Sequence, residues 1–553
     1  MINAVLIPTA KYVSEDLQLE LGEIPPVLIP LGGKYLIEII IDNFAHLPGK
    51  TEYYLLVNEG RTQIESWLQS NPEYDNVHLV NVNLDGDLGH SIYQGLKHVD
   101  LKRVDNLLIN FGDTIVSDPF LLERDTIFYK DLKESYRWTS FEMTAGKITT
   151  ITDKMLTEYL ESNHIFIGLF LIKDPGTFLS SFVEKGIPPE IDSFYFNLQQ
   201  HLEDHDYMIS LVKEWYDLGH IDFYYEAKKH FLNTRFFNNI TIDKGKPVLV
   251  KRSDNPETLI KEINWYLEIP VSLKCYIPQI LDYSTESDDA FVSMEYYGYP
   301  SLSDVFIYGH QRLDSWNRIF HAILVFLNEV QQYTFEDKEQ RIHSNLRKMY
   351  VDKTLERIAL LKDDELFAHY FDKEMVINSK KYFPINRYLE IIPELFQLLI
   401  MEDKHTMQII HGDLCLANIL FDNRSGNIKV LDPRGSFGDY TIHGDQCYDL
   451  AKLSHSFNGR YEMIISNYFT QSSRGNRIDY TIFWNTYNQK VTDMFNKILV
   501  KNFPDQINAV HFIEALLFLS MIPLHKDFRG RQKVMLAMGI EKLHRIIHDN
   551  NIK

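Results

Sequence analysis

The sequence predicts an α/β domain with a mostly parallel sheet, followed by a two-lobed α+β domain. Three observations lead to this prediction. Short apolar strand candidates alternate with helical patterns over residues 1–232, a small sheet with one helix follows over residues 233–300, and residues 301–553 are mostly helical. A chain of 553 residues has room for about three domains at roughly 100–200 residues each.

The first domain is predicted from repeated alternation of strands and helices. Apolar runs of strand length, separated by amphipathic segments, are typical of parallel sheets covered by helices. The predicted strands are residues 4–7, 53–57, 78–82 and 106–110, and the predicted helices are residues 36–44, 61–69 and 91–98. Ligands collect at the carboxyl ends of the strands in such sheets, so we expect a binding site there.

The second domain changes character after residue 300. Before it, strands are predicted at residues 238–243, 247–251 and 291–294, with one helix at residues 256–267. After it, helices are predicted at residues 316–332, 337–361, 387–401, 481–500 and 509–520, and short strands at residues 418–421 and 428–431. The charged segment 337–361 is interpreted as a solvated amphipathic helix.

Composition restricts the class of protein. Hydrophobic residues make up 45% and aromatic residues 13% of the chain, which excludes wholesale disorder. The net charge of −21 disfavours binding to nucleic acid, and three cysteines without C-x-x-C spacing indicate a reducing compartment. The sequence shows no apolar stretch of about 18 residues and no signal peptide, so we expect a cytoplasmic protein without a membrane span.

The most specific motif is His411-Gly-Asp413, with Asn418 five residues after the aspartate and Asp432 at the end of the next predicted strand. Phosphoryl transfer needs a carboxylate beside the accepting hydroxyl and hard oxygen ligands for Mg2+ on the nucleotide phosphates. The motif resembles the catalytic loop and metal-binding turn of the aminoglycoside phosphotransferase and choline kinase superfamily. The resemblance implies a kinase fold that uses Mg2+ and ATP, with Asp413 as catalytic base and Asn418 and Asp432 as metal ligands.

Residues upstream of this motif fit the same fold. Lys251 lies late in a predicted strand, which is where a kinase places the cation that binds the α- and β-phosphates of ATP. As the carboxylate partner of Lys251, Glu262 on the following helix is favoured over Glu257. The segment that contains Glu295 has the character of the hinge that meets adenine, or of an ordinary buried strand. No G-x-G-x-x-G loop precedes Lys251, so we expect the turn at residues 243–246 to contact the phosphates in its place.

Two residues beyond the motif have open roles. Asp449 resembles the family aspartate that supports the catalytic loop through hydrogen bonds. Arg434 either clamps an anionic group of a substrate or pairs with Asp439 or Asp445, and the structural role is favoured.

Three segments of the first domain resemble sugar-nucleotide pyrophosphorylases and related nucleotidyltransferases. They are residues 25–38, residues 108–114, which end a strand in Gly-Asp, and residues 214–219, which contain W-x-D-x-G. The resemblance implies nucleotidyl transfer with Asp113 and Asp217 as Mg2+ ligands. It also implies that Gly89, within residues 88–91, belongs to a backbone loop near the nucleotide base.

One departure from this family affects the phosphate site. The family opens with a glycine-rich loop that carries an Arg, and a Lys follows the proline, so that backbone amides and cations hold the triphosphate. Residues 8–16 contain neither G-x-G nor Arg, and Pro26 occupies the position of the Lys. Lys11 and Lys34 remain as substitutes.

A histidine pair suggests a weaker possibility. His201 and His205 stand one helical turn apart, which is a spacing found in zinc sites. The Glu that follows the first His in a metalloprotease helix is missing, so a metal site is the less favoured interpretation.

These interpretations together predict a kinase fused to a nucleotidyltransferase-like domain. The kinase would phosphorylate a hydroxyl of a sugar, polyol or amino alcohol, and the first domain would combine the phosphate ester with CTP or another NTP into an NDP-activated precursor. Similar pairings serve bacterial capsule and surface-polysaccharide synthesis, which the resemblance therefore implies. The alternatives are a kinase whose first domain only binds a nucleotide or partner, and an inert scaffold. The acceptor, the NTP base and the oligomeric state stay open.

Overall fold

The computed structural model describes residues 1–133, 135–154, 163–183, 186–231, 238–243, 245–337, 341–401 and 407–550. The chain divides into two compact units. The first comprises Met1–Asn233 and Tyr308–Gln311, and the second comprises Thr234–Ile307 and Arg312–Lys553. The predicted boundary after residue 232 lies outside the described residues, so the predicted domain limits stay predictions.

The first unit is a mixed α/β structure. Its strands are β1 (Ile2–Pro8), β2 (Pro30–Leu31), β3 (Lys34–Tyr35), β4 (Lys50–Val57), β5 (Val77–Asn81), β6 (Asn106–Asn110), β7 (Thr114–Val116), β8 (Thr126–Asp131), β9 (Ser140–Thr144), β10 (Lys147–Thr152), β11 (His164–Ile172), β12 (Met208–Leu211) and β13 (Trp215–Asp217). Its helices are α1 (Glu15–Leu21), α2 (Leu36–Phe44), α3 (Arg61–Ser70), α4 (Leu88–His98), α5 (Pro175–Ser180), α6 (Ser193–Asp204) and α7 (Ile221–His230).

The central sheet of this unit has the strand order β10-β9-β11-β6-β1-β4-β5. The pairs β6–β1, β1–β4 and β4–β5 are parallel, as predicted, and β11 joins β6 in the antiparallel direction. In β1, Val5 and Ile7 pack into the core on one face, whereas Ala4 and Leu6 pack into the core on the other. A strand buried on both faces needs this continuous apolar run, which explains why it was recognisable in the sequence.

The first turns of α4 and α6 cap each other. Asp87 precedes α4, and its carboxylate accepts a hydrogen bond from its own helix and one from Ser193 N at 2.6 Å. Asp192 precedes α6, and its carboxylate accepts a bond from its own helix and bonds from Leu88 N and Gly89 N, both at 3.1 Å. Each carboxylate therefore satisfies amides of two helices that no intrahelical carbonyl reaches.

The second unit begins with a small sheet and continues as a mostly helical structure. Its strands are β14 (Asn238–Ile242), β15 (Val248–Ser253), β16 (Ile280–Ser284), β17 (Phe291–Glu295), β18 (Thr334–Phe335), β19 (Met375–Ile377), β20 (Lys380–Tyr382), β21 (Met407–Ile409), β22 (Ile419–Phe421), β23 (Ile428–Val430), β24 (His443–Gly444), β25 (Phe469–Arg474) and β26 (Arg477–Ile482). Its helices are α8 (Pro256–Glu268), α9 (Leu302–Ile307), α10 (Leu313–Gln331), α11 (Ile342–Arg347), α12 (Lys353–Ala359), α13 (Ile385–Phe396), α14 (Gln446–Phe457), α15 (Tyr461–Ile465), α16 (Thr486–Asn502), α17 (Ile507–Met521) and α18 (Arg529–Asp549).

The small sheet carries one helix. Its strand order is β14-β15-β17-β16, and each neighbouring pair is antiparallel. Helix α8 follows β15 and begins at Pro256, after Asn255 accepts a capping bond from Thr258 N at 3.3 Å. The short strands β22 and β23 form a hairpin between the predicted motif residues Asn418 and Asp432.

Two hairpins in the helical region were absent from the prediction. Strands β19 and β20, with β26 and β25, form one sheet. The turn between β19 and β20 places Asn378 and Ser379 at φ values of 46° and 68°, a left-handed pair that glycine usually marks. The predicted helix 481–500 is correspondingly wrong at its start, because Thr481 belongs to β26 and Asn485 caps α16, which starts at Thr486.

One helix contradicts the expectation that the sequence holds no apolar stretch of about 18 residues. Pro504–His525 is long enough and apolar enough to cross a membrane by length and composition alone. However, 78% of the 18-residue apolar stretch in this helix is buried inside the protein, where α17 packs against α14 and α18. The apolar character of this helix is therefore that of a core helix.

The shared caps of α4 and α6 lead to a prediction about stability. Replacement Asp87→Ala should lower the free energy of unfolding of the first unit by about 1–2 kcal/mol, because it removes acceptors from two helix ends at once. The measurement is urea unfolding of the full chain, followed by hydrogen exchange of peptides from α4 and α6. Asp174→Ala is the matched control, since Asp174 caps α5 alone through Thr177. An effect no larger than that of the control would contradict the shared-cap interpretation.

Candidate active sites

In the second unit, a buried lysine lies between two carboxylates. Lys251 lies in β15, and its Nζ donates to both carboxylate oxygens of Glu262 at 2.8 and 3.0 Å. The same Nζ donates to Asp432 Oδ1 at 2.9 Å. The Lys251 and Glu262 side chains are only 5% and 6% exposed. Glu262, which the sequence favours over Glu257, is thus the glutamate that binds Lys251.

The charge of this group is set by its surroundings. Burial by itself lowers the pKa of Lys251, but attraction from Asp432 and Glu262 outweighs burial and holds the pKa above its ordinary value. The lysine therefore stays charged. Asp432 adopts a left-handed backbone conformation, with φ at 55°, which costs roughly 1 kcal/mol or more for a residue other than glycine. Its amide donates to Tyr266 Oη at 3.0 Å, which holds the carboxylate in position.

A buried carboxylate holds the backbone of the candidate catalytic loop. Asp449, in α14, accepts hydrogen bonds from His411 N and Gly412 N, both at 2.7 Å. This confirms the predicted supporting role of Asp449. Gly412 has a φ of 78°, and a Cβ there would lie 2.8 Å from Arg434 Cβ, so glycine is needed at this turn. Burial lowers the pKa of His411 to about 4, which leaves its ring neutral.

Asp413 and Asn418 lie together at the mouth of this loop. Asn418 Nδ2 donates to the backbone oxygen of Asp413 at 2.9 Å, which leaves the side-chain oxygen of Asn418 as the atom able to ligate a cation. The Asp413 side chain is 29% exposed, and its Oδ1 lies 2.8 Å from Lys452 Nζ in α14. The sequence analysis assigned no role to Lys452, which reaches the loop from a helix that lies well beyond the motif.

The carboxylate and amide oxygens of this site suit a magnesium ion. Mg2+ prefers hard oxygen ligands and is held in phosphotransferases by one or two protein side chains together with phosphates. Asp432 and Asn418 provide such oxygens, on either side of the β22–β23 hairpin. The roles of the two residues as metal ligands stay predictions.

The other predicted residues of the second unit have ordinary local partners. Glu295 ends β17, and its Oε2 accepts a hydrogen bond from Tyr297 Oη at 2.7 Å. In the turn 243–246, Asp243 Oδ1 accepts bonds from Gly245 N and Lys246 N, whereas residue 244 lies outside the described residues. The two alternatives for the segment around Glu295, a hinge for adenine and an ordinary strand, both fit this geometry.

Arg434 does not form the ion pairs considered from the sequence. Asp439 Oδ1 binds Lys348 Nζ at 2.7 Å, and Asp445 accepts bonds from Cys447 N and Tyr350 Oη. Within the described part of the chain, neither carboxylate pairs with Arg434. The favoured expectation, that Arg434 pairs with Asp439 or Asp445, was therefore wrong.

In the first unit, the two predicted carboxylates line one cavity. Asp113, Asp217, Trp138 and Lys154 are among the residues around this space of about 270 Å³. Gly219 lies between the carboxylates, since a Cβ there would come within 2.5 Å of Asp113 Oδ2 and 3.3 Å of Asp217 Oδ1. The strand β6 and the antiparallel pairing of β7 with β13 bring the two aspartates together from distant parts of the sequence.

The two carboxylates have different environments. Asp217 Oδ2 accepts from Trp138 Nε1 at 2.8 Å and contacts His220 Nδ1 at 2.6 Å, and Asp217 Oδ1 accepts from Gly219 N at 2.7 Å. Burial, reinforced by repulsion from Asp217, raises the pKa of Asp113 to about 6. Two carboxylates held this close suit a divalent cation, which would relieve their repulsion.

Lys34, Lys11 and Gly89 are not among the residues that line this cavity, although Leu88, the neighbour of Gly89, is one of them. The Nζ of Lys34 pairs with Asp42 at 2.6 Å, with both side chains more than half exposed. Lys11 is likewise exposed. Gly89 is buried in the first turn of α4 with its amide bonded to Asp192, and a Cβ there would clash with the backbone nitrogen of Phe194. The close packing of α4 on α6 thus explains why residue 89 is a glycine.

Lys154 is a cation of this cavity that sequence reasoning missed. It follows β10 directly and lines the space with Asp153 and Arg137. Arg137 is itself paired with Asp222 at 2.6 Å. The signal in the sequence is a cation, Lys154, at the end of an extended segment of the same domain.

The two histidines of the pair contact each other and a tyrosine. The rings of His201 and His205 stack with centroids 3.8 Å apart, and Tyr207 Oη lies 3.1 Å from His201 Nδ1. Among the described residues, no group of three His, Cys, Asp or Glu side chains is arranged to hold a metal ion.

Comparisons with known proteins concern the N-terminal part of the chain. No protein-family model and no curated protein matches the sequence. A structure described as a glucose-1-phosphate thymidylyltransferase from Bacillus anthracis is similar at 15% identity, with a TM-score of 0.36, over 43% of this chain and 97% of that one. UDP-glucose pyrophosphorylase complexed with UDP-glucose is similar at 16% identity, with a TM-score of 0.35, over 42% and 98%. HddC from Yersinia pseudotuberculosis is similar at 16% identity, with a TM-score of 0.32, over 42% and 100%.

The raised pKa of Asp113 leads to a prediction about pH. An acid whose pKa is higher in the folded than in the unfolded state stabilises the fold at low pH, and this contribution is lost as pH rises through the folded pKa. The wild type should therefore lose stability relative to Asp113→Asn between about pH 4 and pH 6. In metal-free buffer at pH 7.5, Asp113→Asn should melt at a higher temperature than the wild type.

Calorimetry of the full chain at pH 5 and pH 7.5 checks this prediction. Asp75→Asn, at an exposed carboxylate of the same unit, serves as control and should change the melting temperature little at either pH. Added Mn2+ should raise the melting temperature of the wild type by more than that of Asp113→Asn, which keeps only the metal site proposed for the second unit. A variant that is less stable than the wild type at pH 7.5 without metal would contradict the assigned repulsion.

Proposed function

We propose that the second unit is a small-molecule kinase that uses MgATP, and that the first unit uses the phosphate ester in nucleotidyl transfer. The observation that carries the kinase proposal is the position of Lys251 between Glu262 and Asp432. A buried cation fixed by one carboxylate beside a second, metal-ligating carboxylate is the arrangement that phosphoryl transfer requires.

The residues of the catalytic loop fit the roles that this reaction needs. Asp413 would orient the acceptor hydroxyl and take its proton, while the hydroxyl oxygen forms a bond to the γ-phosphorus of ATP and the bond to the ADP oxygen breaks. Lys251 would bind the α- and β-phosphates, with Glu262 holding the lysine in place. Bound Mg2+, held by Asn418 and Asp432, neutralises charge on the phosphates. The segment at Glu295 is the proposed contact for adenine.

The acceptor class is a hydroxyl of a sugar, polyol or amino alcohol. The kinase products are then ADP and a phosphate ester, and the ester is the substrate proposed for the first unit. There, a phosphate oxygen of the ester would attack the α-phosphorus of CTP or another NTP, with release of pyrophosphate. Asp113 and Asp217 would hold Mg2+, and Lys154 supplies a cation beside them. An NDP-activated precursor of a cytoplasmic capsule or surface-polysaccharide pathway is the proposed product.

A second candidate function has one specific observation in its favour. Pro26 lines the cavity of the first unit at the position where the resembling family has a lysine, and Lys34 is engaged with Asp42 instead. A triphosphate would therefore meet fewer cations than in the family. In this alternative, the first unit only binds a nucleotide or a pathway partner, and the kinase acts alone.

Mass spectrometry of reaction products tests both functions. The full chain would be incubated with Mg2+, ATP, CTP, GTP, UTP and a panel of small alcohols and sugars. The wild type should form a phosphate ester and an NDP ester. Asp413→Asn should lower formation of both by about 100-fold or more, since it removes the proton acceptor. Asp113→Asn should abolish only the NDP ester and let the phosphate ester accumulate.

Asp439→Asn is the matched control, because Asp439 is an exposed carboxylate of the same segment and binds only Lys348 in the contacts described. It should leave both products unchanged. A phosphate ester formed equally by wild type and Asp413→Asn would contradict the kinase assignment. A phosphate ester without any NDP ester would favour the binding-only first unit.

A further inference from the structure

Four basic side chains converge beside the catalytic loop of the second unit. Lys353 and Arg357 stand one turn apart on α12, Lys452 lies on α14, and Arg434 follows the proposed metal ligand Asp432. We call Lys353, Arg357, Arg434 and Lys452 the basic cluster. The sequence placed the first two in a solvated helix, yet neither is exposed in the structure.

Contacts connect the basic cluster to Asp413. Lys452 Nζ lies 2.8 Å from Asp413 Oδ1. Tyr448, one turn before Lys452 on α14, is 1% exposed, and its hydroxyl accepts a hydrogen bond from Lys353 Nζ at 3.2 Å. The backbone amide of Arg434 donates to His411 O at 2.9 Å, next to Asp413. The cluster is therefore continuous with the loop that would hold the acceptor hydroxyl.

Among the residues that the structure describes, the contacts of the basic cluster include fewer carboxylates than cations. Of the nearby carboxylates, Asp413 is bound by Lys452, and Asp449 is bound by two loop amides. Arg357 donates to the backbone oxygen of Ser520 at 3.1 Å, which carries no charge. In the part of the chain that the structure describes, Arg434 Nε is buried without a hydrogen-bond partner.

The pKa values reflect this excess. Burial first, and then repulsion from Arg434 and Arg357, lower the pKa of Lys353 to about 8 against the attraction of Tyr448. Burial would raise the pKa of Tyr448, but attraction from Lys353, Arg434 and Lys452 lowers it to about 7. At Lys353 the attraction that opposes this repulsion comes from the Tyr448 phenol, whereas the carboxylate of Asp413 compensates Lys452.

Such an arrangement is unfavourable unless an anion joins it. Buried charges in proteins are normally paired, because desolvation of an unpaired charge is costly. Guanidinium and ammonium groups that converge on one space are the usual ligands of carboxylates and phosphates. The same charges would repel a cationic acceptor such as an amino alcohol.

We propose that the basic cluster binds an anionic group of the acceptor, a carboxylate or a phosphate, while the hydroxyl of the same molecule lies at Asp413. This rests on the proposed kinase function and narrows its substrate class to hydroxy acids and phosphorylated sugars or polyols. Lys353 and Arg357 bind the anion at the far side of the cluster, and Lys452 lies between the anion and Asp413.

The first test measures anion binding without any reaction. Inorganic phosphate is titrated into the full chain at constant ionic strength, with chloride as the replaced anion, and the melting temperature is recorded. Phosphate should stabilise the wild type, and Lys353→Met or Arg357→Met should weaken this effect at least tenfold in apparent affinity. Lys362→Met removes an exposed lysine just after α12 and should bind phosphate as the wild type does.

The same variants separate the acceptor site from the nucleotide site. In metal-free chloride buffer, Lys353→Met should melt no lower than the wild type, because it relieves repulsion, so that weaker phosphate binding is not caused by misfolding. Calorimetric titration with MgATP should give equal affinities for wild type, Lys353→Met and Arg357→Met. Phosphate binding that is unchanged in both variants, or MgATP binding that falls tenfold in them, would overturn the proposal.

The second test uses matched acceptors that differ only in charge. ADP release is measured with glycerol, glycerate and glycerol 3-phosphate, and with glucose, gluconate and glucose 6-phosphate. Turnover of a charged member at least tenfold above its neutral counterpart, lost in Arg357→Met, supports the proposal. Turnover of only neutral members, abolished by Asp413→Asn, would leave the kinase intact and overturn the anion site. Phosphate binding lost in the variants supports the anion site even where no acceptor in these two sets is turned over.

Discussion

The ammonium group of Lys251 joins three separate parts of the second unit. It links β15 of the small sheet to Glu262 in α8 and to Asp432 after β23, and all of these contacts are within 3.0 Å. Removing one partner of such a buried pair leaves a charge without compensation and typically costs about 3–5 kcal/mol. The strand, the helix and the turn are therefore oriented by the same groups that would bind phosphate and metal. Folding of the second unit and formation of its candidate active site therefore depend on the same contacts.

The turn at Asp432 shows how closely the site is constrained. Its left-handed backbone is unfavourable for an aspartate, and the Tyr266 hydroxyl and the Lys251 ammonium group hold it. The loop that carries Asp413 is fixed in a similar way, since Asp449 binds two successive amides of it. Strain and buried polar contacts of this kind are retained where a geometry is needed for function.

Like charges held together recur in both units. Asp113 and Asp217 repel each other in the first unit, and the basic cluster is repulsive in the second. Neither arrangement stabilises the folded protein by itself. Each would become favourable if a ligand of opposite charge bound, and the ligands proposed above are a divalent cation in the first case and an anion in the second. At both places, the repulsion that favours ligand binding thus lowers the stability of the ligand-free protein.

The sequence predicted best what is close in the chain or fixed by a motif. The apolar run of β1, the spacing from Asp413 through Asn418 to Asp432, and the strand-to-helix order of Lys251 and Glu262 all follow from local pattern. Lys452, Lys353 and Arg357 lie on helices remote from the motif, and only tertiary packing brings them to it. The β19–β20 hairpin was missed because its turn uses Asn378 and Ser379 in place of glycine, and the core helix at Pro504–His525 was not recognised as an apolar stretch.

A crystal structure of the full chain with Mg2+ and a non-hydrolysable ATP analogue would test the central claim most directly. The account predicts a metal ion about 2.0–2.1 Å from side-chain oxygens of Asp432 and Asn418. It also predicts that Lys251 keeps Glu262 and donates to a phosphate oxygen at roughly 3 Å. A nucleotide bound elsewhere in the chain, with the contact between Lys251 and Asp432 unchanged and no metal at Asp432, would contradict the assignment of this site to phosphoryl transfer.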